Sequence, residues 1–171
     1  MKKTLFLFIL SLTISFSAFA QINKKVDMPE ALGMYAFKLL QNFENTSDKE
    51  FIYSLLTLEE LKAYTTKHVD AEESYTKREI NRLTTEEYHA KITKEYTELQ
   101  ENAKTFKIKW SAIEFVDFTY EEKAEDGFTG IQGKLFFKHN NVTYRTKVDA
   151  FLMEDKYAPL IVRSLIEKNI N

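Results

Sequence analysis

His68, His89 and His139 are the only imidazoles among the 171 residues, and cysteine is absent. Two histidines on a helix can grip one metal ion when they stand three or four residues apart, and no pair here does. Thiolate sites are excluded outright, so no metal centre is expected. His139, beside a turn signal, reads as a surface residue. Gly127, Gly130 and Gly133 recur at every third position. They lack the strand-to-helix setting of a phosphate-binding loop and read as turn and bulge glycines, so no cofactor is expected. Serine and threonine are frequent, yet nothing places a base and an oxyanion donor beside one of them.

The residue that breaks a local rule is Glu114. It stands between Ala112 and Val116 on the apolar side of an alternating segment. A carboxylate there would point into a core or pocket, where desolvation raises its pKa and suits it to general-base work or to binding a cationic or hydroxylated ligand. A β-bulge would turn it outward, and Ile113 and Phe115 on the other side point to such an irregularity. Bulge, edge exposure or an ion pair with Arg or Lys is the favoured reading of Glu114. Trp110, Phe118, Tyr120, Tyr144 and Arg145 are the candidates to line a pocket with it, and Asp117 is a weaker companion.

The elements that must position these side chains follow an export signal. Lys2 and Lys3 form a basic start, Leu5 to Phe19 an apolar core, and Ala18-Phe19-Ala20 a small-residue cleavage site. A membrane anchor usually needs roughly 20 apolar residues. This core is shorter, so cleavage after Ala20 is expected, with no membrane span afterwards and no cysteine for lipid attachment. Residues 21–28 read as a flexible lead-in to one domain, 29–171. Losing Lys2 and Lys3 moves the formal charge from −2 to −4. That balance argues against nucleic acid, whose phosphates need clustered excess cations. Aromatic residues make up 14% of the chain, with only 4 Gly and 2 Pro, a composition that fits an ordered globule held by packing rather than by disulfides.

Residues 29–103 are read as helical. Pro29 can open a helix whose stripe is Leu32, Tyr35, Ala36, Leu39, Leu40 and Phe43. Asn45 to Asp48 offers caps for a short helix carrying Phe51, Ile52, Leu55 and Leu56, and Thr57 with Glu60 repeats the capping-box spacing. Thr84 with Glu87 does so again, ahead of the stripe Tyr88, Ile92, Tyr96, Leu99 and Ala103. Past Lys104 the period becomes two, and a β-meander over 105–166 is expected. Phe106, Ile108, Trp110, Ala112, Val116, Phe118 and Tyr120 read as one long half-buried strand, followed by a charged loop from Glu121 to Gly127. A second strand runs from Phe128 to His139. Asn140-Asn141 tolerates the positive φ of a two-residue turn, which pairs His139 with Val142, Phe137 with Tyr144, Leu135 with Thr146 and Ile131 with Ala150. A slip by one residue would destroy the segregation of the two faces. A last strand covers Tyr157 to Ile166, with Pro159 marking an edge.

Helices first and an antiparallel meander second make an α+β domain, with N-terminal helices packed on a curved sheet. The early helix, then Asp48-Lys49-Glu50-Phe51 leading into Leu56-Thr57-Leu58-Glu59-Glu60-Leu61, resembles the helical opening of small exported proteins of the nuclear transport factor 2-like superfamily. A cystatin-like helix-on-sheet domain is the nearest alternative. The resemblance implies a cone-shaped sheet with an internal pocket, used for ligand binding, dimerisation or, in some members, catalysis. The charged helical stretch from Asp70 to Ala103 is longer than that fold usually carries. The expected function is non-catalytic binding of a small ligand or of another envelope protein through the sheet, in the periplasm or outside the cell. A pocket enzyme using Glu114 as general base, and a homodimer formed sheet to sheet, are the alternatives.

Overall fold

The computed structural model describes residues 24–68 and 74–168, so the expected signal peptide, Met1 to Ala20, lies outside the described residues. Helix α1 spans Pro29–Gln41, with Pro29 in the first turn where its missing N–H is no loss. Helix α2, Asp48–Tyr53, starts at a capping box between Ser47 and Glu50. The same device opens α3, Leu58–His68: the Glu60 amide donates to Thr57 Oγ1 at 3.2 Å, and the Thr57 amide donates to Glu60 Oε2 at 2.8 Å. Helix α4 covers Tyr75–Arg82, and Thr84 with Glu87 boxes the start of α5, Thr85–Thr105. The stripe from Tyr88 to Ala103 is buried as its spacing requires.

The segment from Phe106 to Ala112 is not the strand that its alternation suggests. Helix α5 ends in a Schellman motif, in which the Lys107 amide donates to Lys104 O and the Ile108 amide to Ala103 O, with Lys107 at φ 53°. A short 3₁₀ turn over Trp110–Ala112 follows. Glu44 Oε1 accepts from the Trp110 amide at 3.1 Å, and His139 Nε2 accepts from the Lys109 amide at 3.3 Å. These two side chains occupy amides that a ladder would have used. His139 is accordingly buried, which corrects its reading as a surface residue.

The sheet is a four-stranded antiparallel meander in the order β1 (Glu114–Glu125), β2 (Phe128–His139), β3 (Val142–Met153), β4 (Lys156–Glu167). Asn140 and Asn141 have φ 51° and 65°, and every β2–β3 pair read from the sequence is present, from His139 with Val142 to Ile131 with Ala150. Glu121 to Glu125 do not form a loop. They continue β1, an edge strand on which charged side chains stay in water on both faces, and only Asp126 and Gly127 turn. Residues 24–28, expected to be a flexible lead-in, are held down. Val26 and Tyr157 exchange backbone hydrogen bonds of 2.9 and 2.8 Å, and Lys24 Nζ donates to Glu60 at 2.6 Å and to Leu55 O at 3.1 Å.

Helix α1 lies across one face of the sheet, with Leu32 packed on Ile131 and Ala150 and the Phe37 ring 5.6 Å from that of Phe115. Phe43, Phe51, Tyr96, Trp110, Phe137 and Tyr144 fill the space beside it, with successive ring centroids 4.8 to 5.8 Å apart. Near the β1–β2 turn the opposite face is covered as well. Phe128 alternates with Ile131 and so points the other way, where Tyr64 of α3 and Phe151 meet it. Asp126 in that turn accepts from the Thr76 amide and the Ser74 hydroxyl, tying the start of α4 to the hairpin.

Gly33 and Gly133 are not bulge or turn residues: a Cβ on either would collide with Phe118, and one on Gly133 would also come within 2.9 Å of Val148 O. Gly133→Ala is therefore expected to lower unfolding free energy by ~1–3 kcal/mol, measured by urea denaturation, and Phe118→Leu in the same chain to recover part of it. A second expectation concerns Tyr35. Burial pushes its phenol from 10.0 up to about 12, partly offset by the Ser54 side chain. The raised folded value makes this contribution complete below pH 10 and lost as pH climbs toward 12. Tyr35→Phe should flatten that alkaline decline in urea melts recorded at stepped pH.

Candidate functional site

The six residues expected around a pocket divide between the two faces of the sheet. Trp110 and Tyr144 are buried among other rings on the α1 side. Phe118 and Tyr120 share that side, and the Tyr120 hydroxyl donates to Glu30 Oε1 at 2.6 Å. Glu114 pairs in register with Lys138, and Arg145 with Phe136, both on the face away from α1. The ladder shifts between Phe115 and Asp117, so a bulge at Val116 resets the alternation, and Glu114 is exposed. No common pocket joins these six side chains.

Histidine chemistry is equally scattered. His89 is half-buried beside Tyr88 on α5, and His139 is engaged with the Lys109 amide. His68 ends α3, and its side chain lies outside the described set. Among the described residues no three His, Cys, Asp or Glu converge as metal ligands, and no helix is long and apolar enough to cross a membrane. A depression of about 180 Å³ lies between α3 and the β3–β4 turn, lined by Lys25, Glu60, Tyr64, Lys67, Met153 and Glu154. Pockets for drug-sized ligands run to about 300–1,000 Å³, so this one admits only a few small groups.

What the fold does assemble is a row of cations on the face away from α1. Regular alternation along β2 sends Gln132, Lys134, Phe136 and Lys138 to that side, and the hairpin register sets Asp149, Lys147, Arg145 and Thr143 against them. Lys134 stands directly opposite Lys147, and Lys147 also faces Arg163 on β4. Like charges in cross-strand positions destabilise a sheet. Arg163 is relieved by Asp149, whose Oδ2 accepts from its Nη2 at 2.8 Å and from its Nε at 3.2 Å. Lys134, Lys138, Arg145 and Lys147 form no ion pair within 4 Å among the described residues. Arg145 Nε is buried with no hydrogen-bond partner there. Lys168 Nζ sits 4.7 Å over the Phe136 ring, adding one more positive charge to the row.

Pairing Lys134 with Lys147 was implicit in the hairpin register and could have been read from it. The signal is weak, because lysine on the wet face of a strand is ordinary. It acquires meaning only once these cations are known to form no ion pair within 4 Å among the described residues, although β1 sets Glu114 opposite Lys138 and carries Asp117 and Glu121 on the same face. The like-charge opposition gives a direct test: Lys147→Glu places a carboxylate between Lys134 and Arg163 and should raise stability by roughly 0.2–1 kcal/mol, read as a higher urea midpoint. In comparisons with known proteins, no protein family matches the chain, and neither curated proteins nor solved structures give a match.

Proposed function

We propose that this chain is an exported, non-catalytic binding domain that docks an acidic segment of an envelope partner on the open face of its sheet. The carrying observation is the row of Lys134, Lys138, Arg145 and Lys147 along β2 and β3, none of them in an ion pair within 4 Å among the described residues, on a chain whose overall formal charge is negative. Positive potential concentrated on one face steers and orients an acidic partner while the rest of the surface repels it. Export rests on the signal features of Met1 to Ala20. The fold reads as a nuclear transport factor 2-like arrangement whose interior is closed by its own rings, which favours a surface partner over a ligand inside the cone. A general base at Glu114 finds little support, since its carboxylate is exposed beside Lys138 rather than enclosed.

Poly-L-glutamate serves as the acidic probe. The exported chain is expected to bind it with a salt-sensitive affinity, and Lys134→Gln with Lys147→Glu to weaken binding by about tenfold or more. Because the same change relieves repulsion within the sheet, loss of binding with undiminished stability cannot be ascribed to unfolding. Equal binding by the parent and the double variant, in fluorescence anisotropy at matched ionic strength, would remove the proposal.

A further inference from the structure

The two edges of the sheet are treated differently. Along β4, Val26 exchanges backbone hydrogen bonds with Tyr157, the Leu56 amide donates to Pro159 O at 2.7 Å, and α5 packs alongside. The outer side of β1 has no backbone partner among the described residues, and every residue of the strand except Phe118 is exposed. At 12 residues it is far longer than the usual strand of about 5–6. Its one irregularity lies near the start, so Asp117 to Glu125 pair regularly with β2. A long edge of this kind presents N–H and C=O groups in register for another strand, although the Phe118 amide is held by Asp117 Oδ1 at 2.9 Å.

The two sides of that edge differ in chemistry. On the α1 side, Glu30 meets Tyr120, Gly33 meets Phe118 and Phe37 meets Phe115, so helix and strand run antiparallel along each other. Phe115 and Tyr120 remain 40% and 37% exposed, and Met34, one turn from Glu30 and Phe37 on the helix, 39%. These form an apolar strip beside the free edge. On the other side the strand carries Glu114, Asp117, Glu121 and Glu125, and its Lys123 is occupied by Glu121 at 3.8 Å and Gln132 at 3.0 Å. A second copy of β1 would bring acids against acids, so self-pairing is opposed by charge.

We propose that the β1 edge accepts an extended segment of another polypeptide as a fifth strand, one that alternates apolar residues with Lys or Arg. Strand residues point alternately to opposite faces. The apolar set then covers Phe115, Tyr120 and Met34, while the basic set lies beside Asp117 and Glu121. Main-chain hydrogen bonds supply affinity and the alternation supplies specificity. This site borders the cation row, with Asp117 and Glu121 on either side of the Thr119–Lys134 pair, but takes a partner segment of opposite charge, so failure of one binding test leaves the other proposal standing.

The test uses three nine-residue synthetic peptides and the exported chain. The first alternates lysine with valine, the second glutamate with valine, and the third repeats the first with N-methyl groups on alternate backbone nitrogens. The lysine–valine peptide is expected to bind and to slow hydrogen exchange at Asp117 to Glu125, with β4 unchanged. Asp117→Lys with Glu121→Lys should weaken it about tenfold or more, and the milder Asp117→Asn with Glu121→Gln should fall between, guarding against a folding defect. Binding by the glutamate–valine peptide as tight as by the lysine–valine one would overturn the charge argument. Undiminished binding of the N-methylated peptide, protection on β2 and β3 instead of β1, or dimerisation of the chain alone through β1 in sedimentation would each overturn strand addition.

Discussion

Phe118 occupies space that two missing Cβ atoms leave open, one on Gly33 of α1 and one on Gly133 of β2. Helix and sheet approach each other at that point as closely as backbones can. From this contact the rest of the α1 interface follows, with Leu32 reaching Ile131 and Ala150 on one side and Phe37 reaching Phe115 on the other. Beside it the space among the described residues is filled by the rings of Phe43, Phe51, Tyr96, Trp110, Phe137 and Tyr144. The exposed polar side chains of the sheet lie on the face that α1 does not cover and along the β1 edge.

Where sequence and structure agree, the information is local. Thr57 with Glu60 and Thr84 with Glu87 each satisfy two helix-end donors within four residues, so the spacing alone locates two helix starts, and Ser47 with Glu50 does the same within the segment 45–48 read as offering caps. The Asn140-Asn141 turn likewise settles the register of 10 pairs, because a two-residue connection leaves no slack. The disagreements are tertiary. The change of period past Lys104 placed the end of α5 within two residues, but Lys107 adopts a left-handed conformation that glycine usually takes, so nothing in the sequence announced a Schellman turn rather than a strand there. The amides of Lys109 and Trp110 go to His139 and Glu44, which are 30 and 66 residues away. The rigid alternation from Phe106 to Ala112 was real, but its polar half serves a loop pressed into the core.

The candidate site shows the same division. Arg145 and Glu114 were both singled out from the sequence, and both lie on the face away from α1, offset by two residues in the register across β1, β2 and β3. Trp110 and Tyr144 were grouped with them on residue type and belong to the opposite side. Residue type alone cannot separate an aromatic that lines a pocket from one that fills it. The cation row, by contrast, depends on how β2, β3 and β4 register against one another, a property of the whole sheet that no single segment carries.

The three strand connections, at Asp126-Gly127, Asn140-Asn141 and Glu154-Asp155, each span only two residues. Closing such short loops costs little chain entropy, so the meander can zip outward from its turns before distant segments have met. The docking of α1 is of another kind, since Leu32 must find Ile131 and Ala150 about a hundred residues further along the chain. A chain threaded N-terminus first would thus present α1 earliest and seat it last. Until the sheet forms, the apolar stripe of that helix has nothing to rest on.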